Sequence, residues 1–73
     1  MKKLLNVLKE ENREFTVTEN TIFIPNDDFD ALFGVQEFNG AYSIFGKFKD
    51  DNRIYKYRAY SVDEVMEIVT ELY

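Results

Sequence analysis

Seventy-three residues with a formal net charge of −5 and neither cysteine nor histidine leave few chemistries open. Disulfides, zinc sites built on Cys or His and any nucleophile–histidine pair are excluded, so packing alone must hold the fold, and seven Phe and five Tyr supply the material for it. The charge is segmented, with −4 over residues 1–46, +3 over residues 47–60 and −4 over residues 61–73, an asymmetry that bears on partners more than on fold.

The start, "MKKLLNVLKEEN", opens with two lysines as a signal peptide does, but Asn6 interrupts its apolar stretch and charge ends it. It reads instead as an amphipathic helix over about residues 2–12, with Leu4, Leu5 and Leu8 on one stripe and Val7 at its edge. No apolar run approaches the roughly 20 residues of a membrane helix, which predicts a cytoplasmic chain with no membrane partner. "EFTVTENTIFIP" reads as a hairpin turning at Glu19-Asn20, with Phe15, Val17, Ile22 and Ile24 on one face and Thr16, Thr18, Thr21 and Phe23 on the other. Pro25 is expected to stop the second strand. "NDDFDALFG" then resembles a short capped helix, with Asn26 or Asp27 as cap and Gly34 as stop.

Asn39-Gly40 is the favoured dipeptide for a tight hairpin turn and joins Val35–Phe38 to Ala41–Lys49. A second two-residue turn at Asp51-Asn52 would pair Phe48 with Tyr55, Gly46 with Tyr57 and Ile44 with Ala59. One face of these strands then holds Val35, Tyr42, Ile44, Phe48, Tyr55, Tyr57 and Ala59, and the other holds Phe38, Phe45, Lys47, Lys49, Ile54, Lys56, Arg58 and Tyr60. Ser61 and Glu64 form a capping box that starts the last helix. Val62, Val65, Met66, Val69 and Tyr73 line its buried side, with Ile68 and Leu72 alongside. The expected architecture is one α+β domain over residues 1–73, in the order α-β-β-(α)-β-β-β-α. Its antiparallel sheet has four to five strands, with the N- and C-terminal helices packed on one face.

Two surfaces offer themselves for binding. On the sheet face away from the helices, Phe23, Phe38, Phe45 and Tyr60 interleave with Lys47, Lys49, Lys56 and Arg58, a pattern used by single-strand nucleic-acid binders. On the last helix, Glu64, Glu67 and Glu71 stand three and four residues apart, neighbours at about 5–6 Å. With Asp63 and the acids Asp27, Asp28 and Asp30 they would present a row of negative charge to a basic partner. Each pattern has an ordinary explanation as well, since edge lysines deter strand pairing and exposed acids keep a small protein soluble.

"NDDFDALFGVQE" has the ligand spacing of a calcium loop at Asn26, Asp28, Asp30 and Glu37, but Ala31 stands where the sharp turn needs Gly, so no metal is expected. Neither serine, Ser43 or Ser61, has a histidine base and there is no glycine-rich phosphate loop, so no catalytic residues and no cofactor are assigned. The stretch "GKFKDDNRIYKYRAYSVDEV" resembles the arm-binding, AP2-like domains of phage integrases in its strand, polar turn, basic strand and Ser-capped helix. That resemblance spans less than half of the chain, and the acidic balance here departs from those basic domains.

The leading expectation is a non-enzymatic acidic protein that binds and inhibits or modulates another protein, a basic DNA- or RNA-handling host protein being the class that its charge complements. The profile is that of small phage or mobile-element accessory proteins that mimic DNA. The alternatives are nucleic-acid binding through the basic aromatic sheet face and a homodimer formed through that same face.

Overall fold

The computed structural model describes residues 1–71, with side chains described for residues 1–70. The elements are α1 (Lys2–Glu10), β1 (Thr16–Val17), β2 (Ile22–Asn26), a single 3-10 turn (Asp27–Phe29), β3 (Ala31–Phe38), β4 (Ala41–Phe48), β5 (Ile54–Ala59) and α2 (Val62–Glu71). The five strands form one antiparallel meander in the order β1-β2-β3-β4-β5. The α+β architecture, with a helix at either end of the strand run, is the one expected.

Strand alternation sorts the side chains into two layers. Ile22, Ile24, Ala31, Phe33, Val35, Tyr42, Ile44 and Ala59 bury together beneath Leu4 and Leu8 of α1 and Val65 and Val69 of α2. Both helices therefore cover the same face of the sheet. The proposed buried positions Leu72 and Tyr73 lie outside the described residues.

The first hairpin has the expected register, Val17 opposite Ile22 and Thr16 opposite Phe23, and the Thr18 N–H closes the turn onto the Thr21 carbonyl at 2.9 Å. At the Asn39-Gly40 turn both residues have positive φ, 52° and 78°, as a two-residue turn between Phe38 and Ala41 requires.

Three expectations need correction. Pro25 does not end β2, which continues through Asn26. Pairing with β1 stops at Phe23, so a residue without an N–H sits where that side of β2 has no strand to bond. Residues 26–34 form only one 3-10 turn, and Gly34 lies inside a strand of eight residues. Asn26 does cap the turn, accepting the Asp28 N–H on its side-chain oxygen at 3.1 Å, and Asp30 leaves it in the left-handed region at φ 49°. The chain then pairs with β4 from Ala31–Phe48 to Phe38–Ala41, and that ladder with its alternating core residues outweighs the local helix signal. The same pairing draws the acids at calcium-loop spacing apart, because Glu37 lies near the far end of β3 from Asp30.

The β4–β5 register differs from expectation by two residues. Gly46 faces Tyr55, Ile44 faces Tyr57 and Tyr42 faces Ala59. Residues 49–53 form a longer loop in place of a two-residue turn. Its hub is Asp51, which accepts the Tyr55 hydroxyl at 2.6 Å and the Arg53 N–H at 2.9 Å. A slip of two leaves every side chain on its expected face.

Candidate functional site

The face of the sheet opposite the helices carries Phe23, Pro25, Leu32, Gly34, Gln36, Phe38, Ser43, Phe45, Lys47, Ile54, Lys56 and Arg58 by strand alternation. Among the described residues, no aspartate or glutamate occupies a strand position on this face, although the chain carries 14 acids. Leu32, Phe38 and Ile54 are exposed, and Phe23 and Phe45 are partly so.

The centre of the face is built by a recurring dipeptide. Phe33-Gly34 on β3 lies antiparallel to Phe45-Gly46 on β4, with Phe33 opposite Gly46 and Gly34 opposite Phe45. Each ring therefore covers the other strand's glycine, one on each face of the sheet. A Cβ on Gly34 would lie 2.4 Å from Cε2 of Phe45, so that ring leans into the space the missing side chain leaves. The result is an aromatic surface pinned against backbone, with Phe23 on the far side of Gly34 and Lys56 directly across from Phe45.

The cations stand beside this surface. Lys56 and Arg58 alternate along β5, and Lys47 pairs with Ile54 at the start of that strand. Lys56, Arg58 and Lys47 have no carboxylate within salt-bridge distance among the described residues. Ser43, Phe45, Ile54, Lys56 and Arg58 line a shallow depression of about 590 Å³. Two expected members differ. Lys49 lies in the β4–β5 loop, where its N–H bonds the Asp30 carbonyl at 2.9 Å, and Tyr60 lies in the bend after β5, exposed at 66%. Leu32 was outside the expected set because residues 26–34 read as a helix, and Pro25 because it was expected to stop its strand.

The acidic set is more scattered. Asp63, Glu64 and Glu67 are exposed on α2, while the Glu71 side chain lies outside the described residues. Glu64 is engaged in the capping box: its N–H donates to Ser61 Oγ at 3.2 Å, and its carboxylate accepts the Tyr60 N–H at 3.3 Å. Asn26 donates its side-chain N–H to the Val69 and Thr70 carbonyls at 2.7 and 3.4 Å, which sets Asp27 and Asp28 near the other end of α2. Arg13 intrudes there, donating to the Thr70 hydroxyl at 3.4 Å. Asp27 and Asp30 also border Lys47 and Lys49 around a second shallow depression. The acids thus do not form one row: Asp63 and Glu64 stand at the start of α2, Glu67 at its middle, and Asp27 and Asp28 near its other end.

At the loop end of β5, the Tyr55 hydroxyl, and after it the Arg53 N–H, hold the Asp51 carboxyl below its ordinary value; the same bond raises Tyr55. This pair orders the loop and lies on the core-face side of β5. Among the described residues no helix is long and apolar enough to cross a membrane, and no three Asp or Glu converge as metal ligands. No protein-family model, curated protein or solved structure matches the chain.

Proposed function

We propose that this protein is a non-enzymatic binding module that takes an extended anionic partner on the open face of its sheet. The observation that carries the reading is the composition of that face. Among the described residues, partly exposed rings at Phe23 and Phe45 and the cations Lys47, Lys56 and Arg58, none of them in a salt bridge, share a sheet face whose strand positions carry no carboxylate, in a chain of net charge −5. A merely solvated face would not need apolar side chains exposed at Leu32, Phe38 and Ile54 and in part at Phe23 and Phe45, where burial would stabilise them.

A second reading keeps the acidic helix as the contact surface, with a basic, nucleic-acid-handling protein as partner and mimicry of DNA as the mode. One observation favours it: α2 carries Asp63, Glu64, Glu67 and Glu71 and no basic residue. The intrusion of Arg13 at one end and the use of Glu64 as a cap weaken the row.

Capture of partners by the tagged protein from a cell lysate separates the two. The triple variant Lys47→Glu, Lys56→Glu, Arg58→Glu loses the partner on the sheet-face reading, while the pair Asp63→Lys, Glu67→Lys keeps it. The opposite pattern transfers the function to α2. All five positions are exposed, so both variants should fold, which circular dichroism checks.

A further inference from the structure

We infer that the occupant of the open face is a single strand of nucleic acid, its backbone running along β5 and its bases turned inward over Phe45 and Phe23. This rests on the sheet-face reading above and names the partner that the face fits.

The face is divided lengthwise. Lys56 and Arg58 stand two residues apart on the outermost strand, about 6.8 Å from one another, and Lys47 continues the line on β4 beside Ile54. The rings lie on the inner strands: Phe45 directly across from Lys56, and Phe23 two strand spacings beyond β4, about 10 Å away. A single strand has the same division, phosphates on one side and unstacked bases on the other. The ring of Phe45 is held down by Gly34, so it is positioned before a base arrives. Preorganisation of this kind lowers the ordering cost of binding.

Other occupants fit less well. A duplex keeps its bases stacked and paired and would leave the rings uncovered. A second copy of this chain would bring its own Lys56 and Arg58 to the same face, opposing like charges. An acidic peptide would satisfy the cations, but the ring of Phe45 directly across from Lys56 offers a flat stacking surface beside a cation, which a base next to its phosphate uses and an acidic side chain does not.

The test is fluorescence anisotropy with a labelled single-stranded oligonucleotide and the matched duplex, followed over a salt series. The single strand should bind more tightly than the duplex. Its affinity should fall with salt at a logarithmic slope of about −2, as three neutralised phosphates on a single strand give. Phe45→Leu, which keeps an apolar side chain over Gly34 but removes the ring, should weaken binding about ten-fold, the size of one lost stacking contact. Lys56→Glu with Arg58→Glu should abolish binding, while Glu67→Lys should not weaken it.

Equal or tighter binding of the duplex overturns the inference, as does strand binding that the Lys56 and Arg58 reversals leave intact. Absence of strand binding also overturns it. If lysate capture still depends on the face in that case, the docking surface stands with an acidic protein as its partner. If capture is independent of the face, both readings fall.

Discussion

Alanine at Gly46 would place its Cβ 2.8 Å from Cε1 of Phe33, a ring with no solvent-exposed surface and no room to retreat. The variant should lose about 2 kcal/mol in urea unfolding, the usual scale for overpacking. At Gly34 the approach is closer, 2.4 Å, yet the neighbour is Phe45, whose partly exposed ring can swing outward. Gly34→Ala should therefore cost less stability, about 1 kcal/mol, while displacing the ring from the binding face. Equal losses at the two glycines would contradict the description of Phe45 as a ring resting on backbone at the surface. The sequence shows the two Phe-Gly dipeptides plainly. Their reciprocal packing depends on strands β3 and β4 meeting in one register, which residue identity alone does not dictate.

At the level of elements, local and long-range signals agreed in some places and competed in others. Asn39-Gly40 was legible because its residues suit positive φ, and the alternation of Tyr42, Ile44 and Ala59 identified the buried face. That alternation also made Phe23, Phe38, Phe45, Lys47, Lys56 and Arg58 legible as companions on the other face, and it survived the β4–β5 register error because the slip was even. Residues 26–34 misled because a cap, a run of acids and a glycine imitate a helix locally. The pairing of β3 with β4 is a tertiary fact that overrides them. The loop between β4 and β5 was misread because the bond from Tyr55 to Asp51 reaches past the expected turn.

That bond carries a pH signature. The folded state lowers the Asp51 pKa from its ordinary 3.8, so its contribution is complete above that value and is lost as pH falls through the lower folded one. Tyr55 is raised from 10.0, and its contribution is lost as pH climbs through the higher folded value. Asp51→Asn should lower stability at neutral pH, with the deficit against the unaltered protein shrinking as acid is added below 3.8. Unfolding midpoints that stay equally separated through the acid range would exclude the carboxylate as the hub of the loop.

Over the whole molecule, charge and apolar surface are distributed unevenly. The acids lie on the helices, the loops and one strand position of the helix-covered face at Glu37, while the opposite face offers rings and cations. Face-to-face pairing of two copies would set like charges together, so sedimentation should report a monomer of about 8.7 kDa at low salt. Added salt screens the repulsion and should allow weak association through Phe45 and Ile54. A stable dimer at low salt would mean that the face is already occupied by its own copy.

The most direct measurement is amide chemical-shift mapping of the isotope-labelled protein during titration with a single-stranded oligonucleotide. An open face that binds such a strand predicts perturbations concentrated at Phe23, Gly34, Phe45, Lys56 and Arg58, with α2 unmoved. Perturbations confined to Asp63, Glu67 and the rest of α2, or a spectrum unchanged at saturating strand, would contradict it.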